Sequence, residues 1–101
     1  MKKKDSFWFL YILQCSDKTL YTGITTDIPR RLKEHNSQKG AFYTQNKIPV
    51  RLVYREDIIG GRAQALKREL EIKRLTRQEK LILIGLSAGT LSGLSKVHCP
   101  D

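Results

Sequence analysis

The alternation of apolar and polar positions divides most of the chain into short elements. The stretch FWFLYIL, residues 7–13, is an unbroken apolar and aromatic run closed by CSDK. Such a run predicts a strand covered on both faces. LYTGI, residues 20–24, is a second β-like run, and the brief connection predicts a hairpin. A register in which paired residue numbers sum to about 32 would set Tyr11 opposite Tyr21. TTDIPRRLKEHN reads as a helix start, with Thr26 or Asp27 as N-cap and Pro29 in the first turn, where its missing N–H costs nothing. Ile28 and Leu32 would then face the core, and Arg31 and His35, four apart, would share another face. SQKGAFYTQNKIP is a basic loop, and VRLVYRE alternates as a third strand should. IGG breaks the chain before RAQALKRELEIKRL, a helix whose inward seam is expected at Ala63, Leu66 and Leu70. TRQE is a capping box opening a last helix, KLILIGL. The remainder, SAGTLSGLSKVHCPD, is small and aperiodic, so residues 1–86 are expected to form the domain and residues 87–101 a disordered tail. The order β-β-α-β-α-α predicts a small mixed α+β domain, a three-stranded antiparallel sheet flanked by helices.

Composition adds a partner class. At 101 residues the chain holds one domain, and 19 Lys and Arg against 10 Asp and Glu leave a formal charge of +9. A domain this basic meets polyanions: DNA, RNA or an acidic membrane surface. Cys15 and Cys99 form no CxxC pair and have only His35 and His98 as company, which supports neither a zinc site nor a disulfide framework. The opening MKKKDSFWFLYIL has lysines before an apolar run, but that run is short and is followed by QCSDK instead of a small-residue cleavage site. It is also too short to span a bilayer, so a cytoplasmic protein is expected.

Tyr11 on the first strand, Tyr21 and Gly23 on the second, Arg31 and His35 on the first helix and Glu69 on the next form an ordered set. The set resembles the GIY-YIG nuclease superfamily. FLY (Phe9–Tyr11) stands at the first signature triplet and keeps its tyrosine, while YTG (Tyr21–Gly23) stands at the second and keeps tyrosine and glycine. The arginine ten residues after the second tyrosine, followed four later by histidine, carries the likeness further. From about Trp8 to Ile84 the pattern is similar to the small stand-alone bacterial proteins of the YhbQ-like, UPF0213 group. Three departures stand out: Phe9 replaces the signature glycine, Thr22 replaces its isoleucine, and no asparagine follows Glu69 in LEIKRLTRQEKL.

The resemblance implies a metal-dependent endonuclease that hydrolyses phosphodiester bonds. Glu69 would hold Mg²⁺, with Mn²⁺ as a substitute, although Glu69 and Lys73 also suit a plain helix-surface pair worth about 0.3–0.5 kcal/mol. Arg31 would clamp the transition-state phosphate, while Arg30, about 100° round the helix, would only bind. Tyr11 and Tyr21 are the candidates for accepting a proton, and the sequence does not separate them. A phenol with a pKa of roughly 10 needs cationic help to act as a base at neutral pH. His35 would relay a proton or hydrogen-bond a tyrosine or phosphate, and Gly23 would permit close packing. The basic loop offers Lys39, Tyr43, Thr44 and Lys47 as nucleic-acid contacts, and Lys73 adds one from the later helix. No appended recognition module is evident, which favours a structure-selective or single-strand-preferring DNA enzyme in repair, recombination or DNA processing. Neither a membrane nor a small-molecule cofactor is expected, and a protein partner could add specificity. The alternative is a non-catalytic nucleic-acid-binding protein on the same scaffold.

Overall fold

The computed structural model describes residues 7–37 and 39–92. Its elements are β1 (Phe7–Gln14), β2 (Leu20–Thr25), α1 (Ile28–Asn36), a 3₁₀ turn (Phe42–Thr44), β3 (Arg51–Ile59), α2 (Arg62–Lys73) and α3 (Arg77–Ser92). The sheet is antiparallel throughout, with strand order β2-β1-β3. The expected fold class and element order are therefore observed.

The continuous apolar run forms the central strand, which needs cover on both faces and receives it. Leu10 and Ile12 pack on one side against Ile72 of α2 and, more loosely, Leu83 and Ile84 of α3. Tyr11 and Leu13 pack on the other with Cys15, Ile28 and Val50. The hairpin register differs from the expected one: Tyr11 lies opposite Gly23, and Tyr21 opposite Leu13. The turn sets this offset. Lys18 takes a left-handed backbone (φ 73°), and Cys15 N–H donates to the Thr19 carbonyl at 2.8 Å. A shift of two residues preserves the face, so the two tyrosines remain diagonal neighbours, with ring centroids 6.4 Å apart.

Helix α1 begins where its cap predicts, the Asp27 carboxylate accepting from the Arg30 N–H at 3.0 Å with Pro29 in the first turn. Its far end is clamped to Val50, the residue that leads into β3. The Asn36 amide donates to the Val50 carbonyl (3.0 Å) and accepts from the Val50 N–H (2.7 Å), closing the intervening loop. That loop is held again where Ser16 N–H donates to the Lys47 carbonyl at 2.8 Å.

The expected seam of α2 is corrected. Ala63, Leu66 and Leu70 are exposed, and the helix instead buries Ala65 and Ile72 with partly covered Glu69 between them. These three lie at i, i+4 and i+7 on one face, and a small residue there lets the helix approach the sheet closely. The capping box of α3 forms as expected: the Thr76 N–H donates to Glu79 (2.9 Å) and the Glu79 N–H to the Thr76 hydroxyl (3.1 Å). That helix continues to Ser92, so residues 87–92, assigned above to a disordered tail, have helical backbone. The rest of the tail, 93–101, lies outside the described residues. Among the described residues no helix is long and apolar enough to cross a membrane.

Candidate active site

The site forms where the sheet meets α1. Tyr11 points toward that helix from the middle of β1, and its ring lies over Gly23 of β2. A Cβ at Gly23 would stand 2.5 Å from the Tyr11 hydroxyl oxygen and 2.7 Å from Cζ, so a glycine is what lets the ring lie there. The hydroxyl meets His35 Nε2 at 3.1 Å. His35 is fully buried, and its other ring nitrogen, Nδ1, lies 2.7 Å from the Thr44 hydroxyl. Gly40 makes room behind the imidazole, since a Cβ there would come within 2.4 Å of Nδ1.

Tyr21 completes an aromatic cluster. Its ring meets His35 edge to face at 5.3 Å and stacks on Tyr43 at 5.8 Å. Lys47 lies over the Tyr43 ring, 4.7 Å from its centroid, and is bonded to Asp17 at 2.7 Å. Tyr43 is therefore partly exposed, with its ring in contact with both Tyr21 and Lys47.

Two opposed influences act on the Tyr11 phenol. Burial pushes its pKa up to about 12, while a hydrogen bond and the charge of Arg31 pull it down and the charges of Tyr21 and Glu69 push it up. His35 is pushed down to about 4, first by burial and then by the Arg31 charge, so it is neutral at physiological pH. Arg31 is half-buried and bonded to Glu34 at 2.8 Å. The same carboxylate takes the exposed Arg30 at 3.0 Å, so one acid holds both arginines. Glu69 is mostly covered (18% side-chain exposure), and Lys73 reaches it at 3.3 Å.

Tyr11, Tyr21, Gly23, Arg31 and His35 thus come together, and Glu69 lies near enough for its charge to act on Tyr11. Arg30, Lys39 and Lys73 are exposed, as a nucleic-acid contact requires, and Lys47 is partly so. Thr44 is a correction. With no exposed surface it cannot reach a nucleic acid, and its hydroxyl is engaged by His35. Sequence reasoning also missed Gly40, Glu34 and Asn36. Glu34 was findable as the carboxylate three and four residues beyond the two arginines, whereas Gly40 and Asn36 matter only through a loop closure that periodicity does not report.

The GIY-YIG catalytic domain family matches residues 7–81 of this chain. A UPF0213 protein of Desulfotalea psychrophila is 51% identical over 95 residues, 93% of this chain and 83% of that protein. A UPF0213 protein of Syntrophus aciditrophicus is 54% identical over 77 residues, 75% of this chain and 87% of that protein. The solution NMR structure of a UPF0213 protein from Bacillus halodurans superposes with a TM-score of 0.54 at 40% identity, covering 89% of this chain and 95% of the other. With a family match spanning both strands of the tyrosine pair and the helix that bears Glu69, this chain belongs to the GIY-YIG family, among its UPF0213 proteins.

Proposed function

We propose that this GIY-YIG domain is a Mg²⁺-dependent DNA endonuclease, structure-selective or single-strand-preferring, acting in DNA repair, recombination or processing. The observation that carries the reading is the buried Tyr11–His35 hydrogen bond flanked by Arg31 and Glu69. A buried neutral imidazole in contact with the phenol is placed to take its proton, and the half-buried Arg31 guanidinium is placed to receive a phosphate.

In this reading a phosphodiester enters beside Arg31, exchanging with Glu34 for the guanidinium. A water hydrogen-bonded to the Tyr11 oxygen attacks phosphorus. Its proton passes to that oxygen as the phenolic proton moves to His35 Nε2, so no free phenolate is required. The arriving phosphate offsets the Arg31 charge, one of the two influences that lower His35 basicity. The departing oxygen takes a proton from solvent. Among the described residues no cluster of three or more His, Cys, Asp or Glu is placed to hold a metal. A single hard carboxylate, Glu69, still fits Mg²⁺, which often keeps water and substrate phosphate as its remaining ligands. Bound there, the ion would polarise the phosphate and stabilise its developing charge. The exposed Arg30, Lys39 and Lys73 would track the backbone.

The test is cleavage of labelled single strand, duplex, flap, fork and RNA with Mg²⁺ or chelator, with binding measured in parallel. Wild type should cut at least one DNA substrate and stop with chelator. Arg31→Ala and Glu69→Ala should keep binding and lose about 10²–10³ in rate, the scale of one electrostatic donor. Tight binding with no cutting on any substrate would instead establish the non-catalytic reading.

A further inference from the structure

Thr44 lies nine residues beyond His35 in the 3₁₀ turn and is fully buried. We propose that Thr44 is a positioning residue: its hydroxyl fixes His35 as the Nδ1–H tautomer and leaves Nε2 bare to accept the Tyr11 proton. The consequence for catalysis rests on the nuclease reading above; the tautomer does not.

The argument follows protons along the chain of contacts. A threonine hydroxyl has one proton to give, and the Thr44 hydroxyl donates it to the Ala41 carbonyl at 3.0 Å. The oxygen therefore presents a lone pair to His35 Nδ1 at 2.7 Å, a distance at which two lone pairs would repel. With the hydroxyl proton directed to the Ala41 carbonyl, Nδ1 carries the hydrogen. A neutral imidazole has one N–H, so Nε2 is the acceptor and the Tyr11 hydroxyl, 3.1 Å away, is its donor.

The opposite end of the chain gives the same direction. Arg31, whose guanidinium acts on the Tyr11 phenol, carries only donors. In the reversed arrangement the phenolic proton would be left without a buried acceptor, at a cost of about 1–3 kcal/mol. His35 and Thr44 have no exposed surface, so bulk water does not compete for the two imidazole nitrogens. Tyr21 meets the imidazole edge to face at 5.3 Å. The polarity of the relay thus names Tyr11 as the tyrosine that loses a proton to His35. Gly40 keeps the imidazole in place to receive it.

The test is a long-range ¹H–¹⁵N spectrum of the labelled full chain above neutral pH, which distinguishes the two tautomers, with His98→Gln assigning the second imidazole. Wild type should show His35 protonated at Nδ1. Thr44→Ser, which keeps the hydroxyl, should preserve that state. Thr44→Val, which keeps the shape, should shift the population toward Nε2–H and slow cleavage by about tenfold or more, the scale of losing a group that orients an imidazole. An Nε2–H tautomer in wild type, or an unchanged one in Thr44→Val, would overturn the inference. Should wild type cut nothing, the nuclease reading would fail while the spectrum still decided the tautomer.

Discussion

At the scale of single residues, the site depends on two groups held away from their ordinary titration ranges by one burial environment. His35 makes the sharper prediction because its pKa falls from 6.5 to about 4 on folding. Between those values the unfolded chain takes up a proton that the folded chain refuses, so stability is complete above the unfolded pKa and is lost as pH falls toward the folded one. From about pH 7 to about pH 5 the loss should be on the order of 2 kcal/mol, read as a fall in the urea midpoint. His35→Gln should remove that slope, and a flat wild-type profile would contradict the account. Asp17, Glu34 and Glu56, whose carboxyls are held low by basic partners and hydrogen bonds, add their own losses at lower pH. Much of this cluster was legible: the spacing of Tyr11, Tyr21, Arg31 and His35 marks residues that the fold brings together. Thr44 was misassigned because a threonine beside basic residues reads the same whether it faces solvent or an imidazole.

At the scale of elements, local signals fared better than long-range ones. Caps and turn residues act within a few positions, which is why Asp27 and the Thr76–Glu79 box were readable. The hairpin register and the inward face of α2 depend on what packs across the sheet. There Ala65, unremarkable in the sequence, outranks Leu66 and Leu70. Among the described residues the same packing leaves one defect, for Thr22 is 3% exposed and its hydroxyl has no hydrogen-bond partner. Valine keeps the shape without the unsatisfied group, so Thr22→Val should stabilise the domain by about 1 kcal/mol and raise its urea midpoint. Thr22 lies opposite Ile12, on the face of the sheet away from Tyr11, so any cleavage activity should be unchanged. A lower midpoint would show that the hydroxyl has a partner in solution.

At the scale of the whole molecule, a charge of +9 identified a polyanionic partner class but could not place it on the surface. The fold shows where several of the basic side chains stand. Arg30 and Lys39 are exposed on α1 and the loop beside the buried tyrosine–histidine pair, and Lys73 stands next to Glu69 on α2. The end of the last helix was not legible, because small residues such as Gly85 and Ser87 weaken a helical pattern without forbidding the helix that runs to Ser92. The central claim is that Tyr11, paired with His35, activates the attacking water. Its most direct test is single-turnover cleavage of the preferred substrate by wild type, Tyr11→Phe and Tyr21→Phe. Tyr11→Phe should lose about 10²–10⁴ in rate, the range for a general acid–base group, and Tyr21→Phe about tenfold or less. A Tyr11→Phe protein that cuts at the wild-type rate would contradict the account.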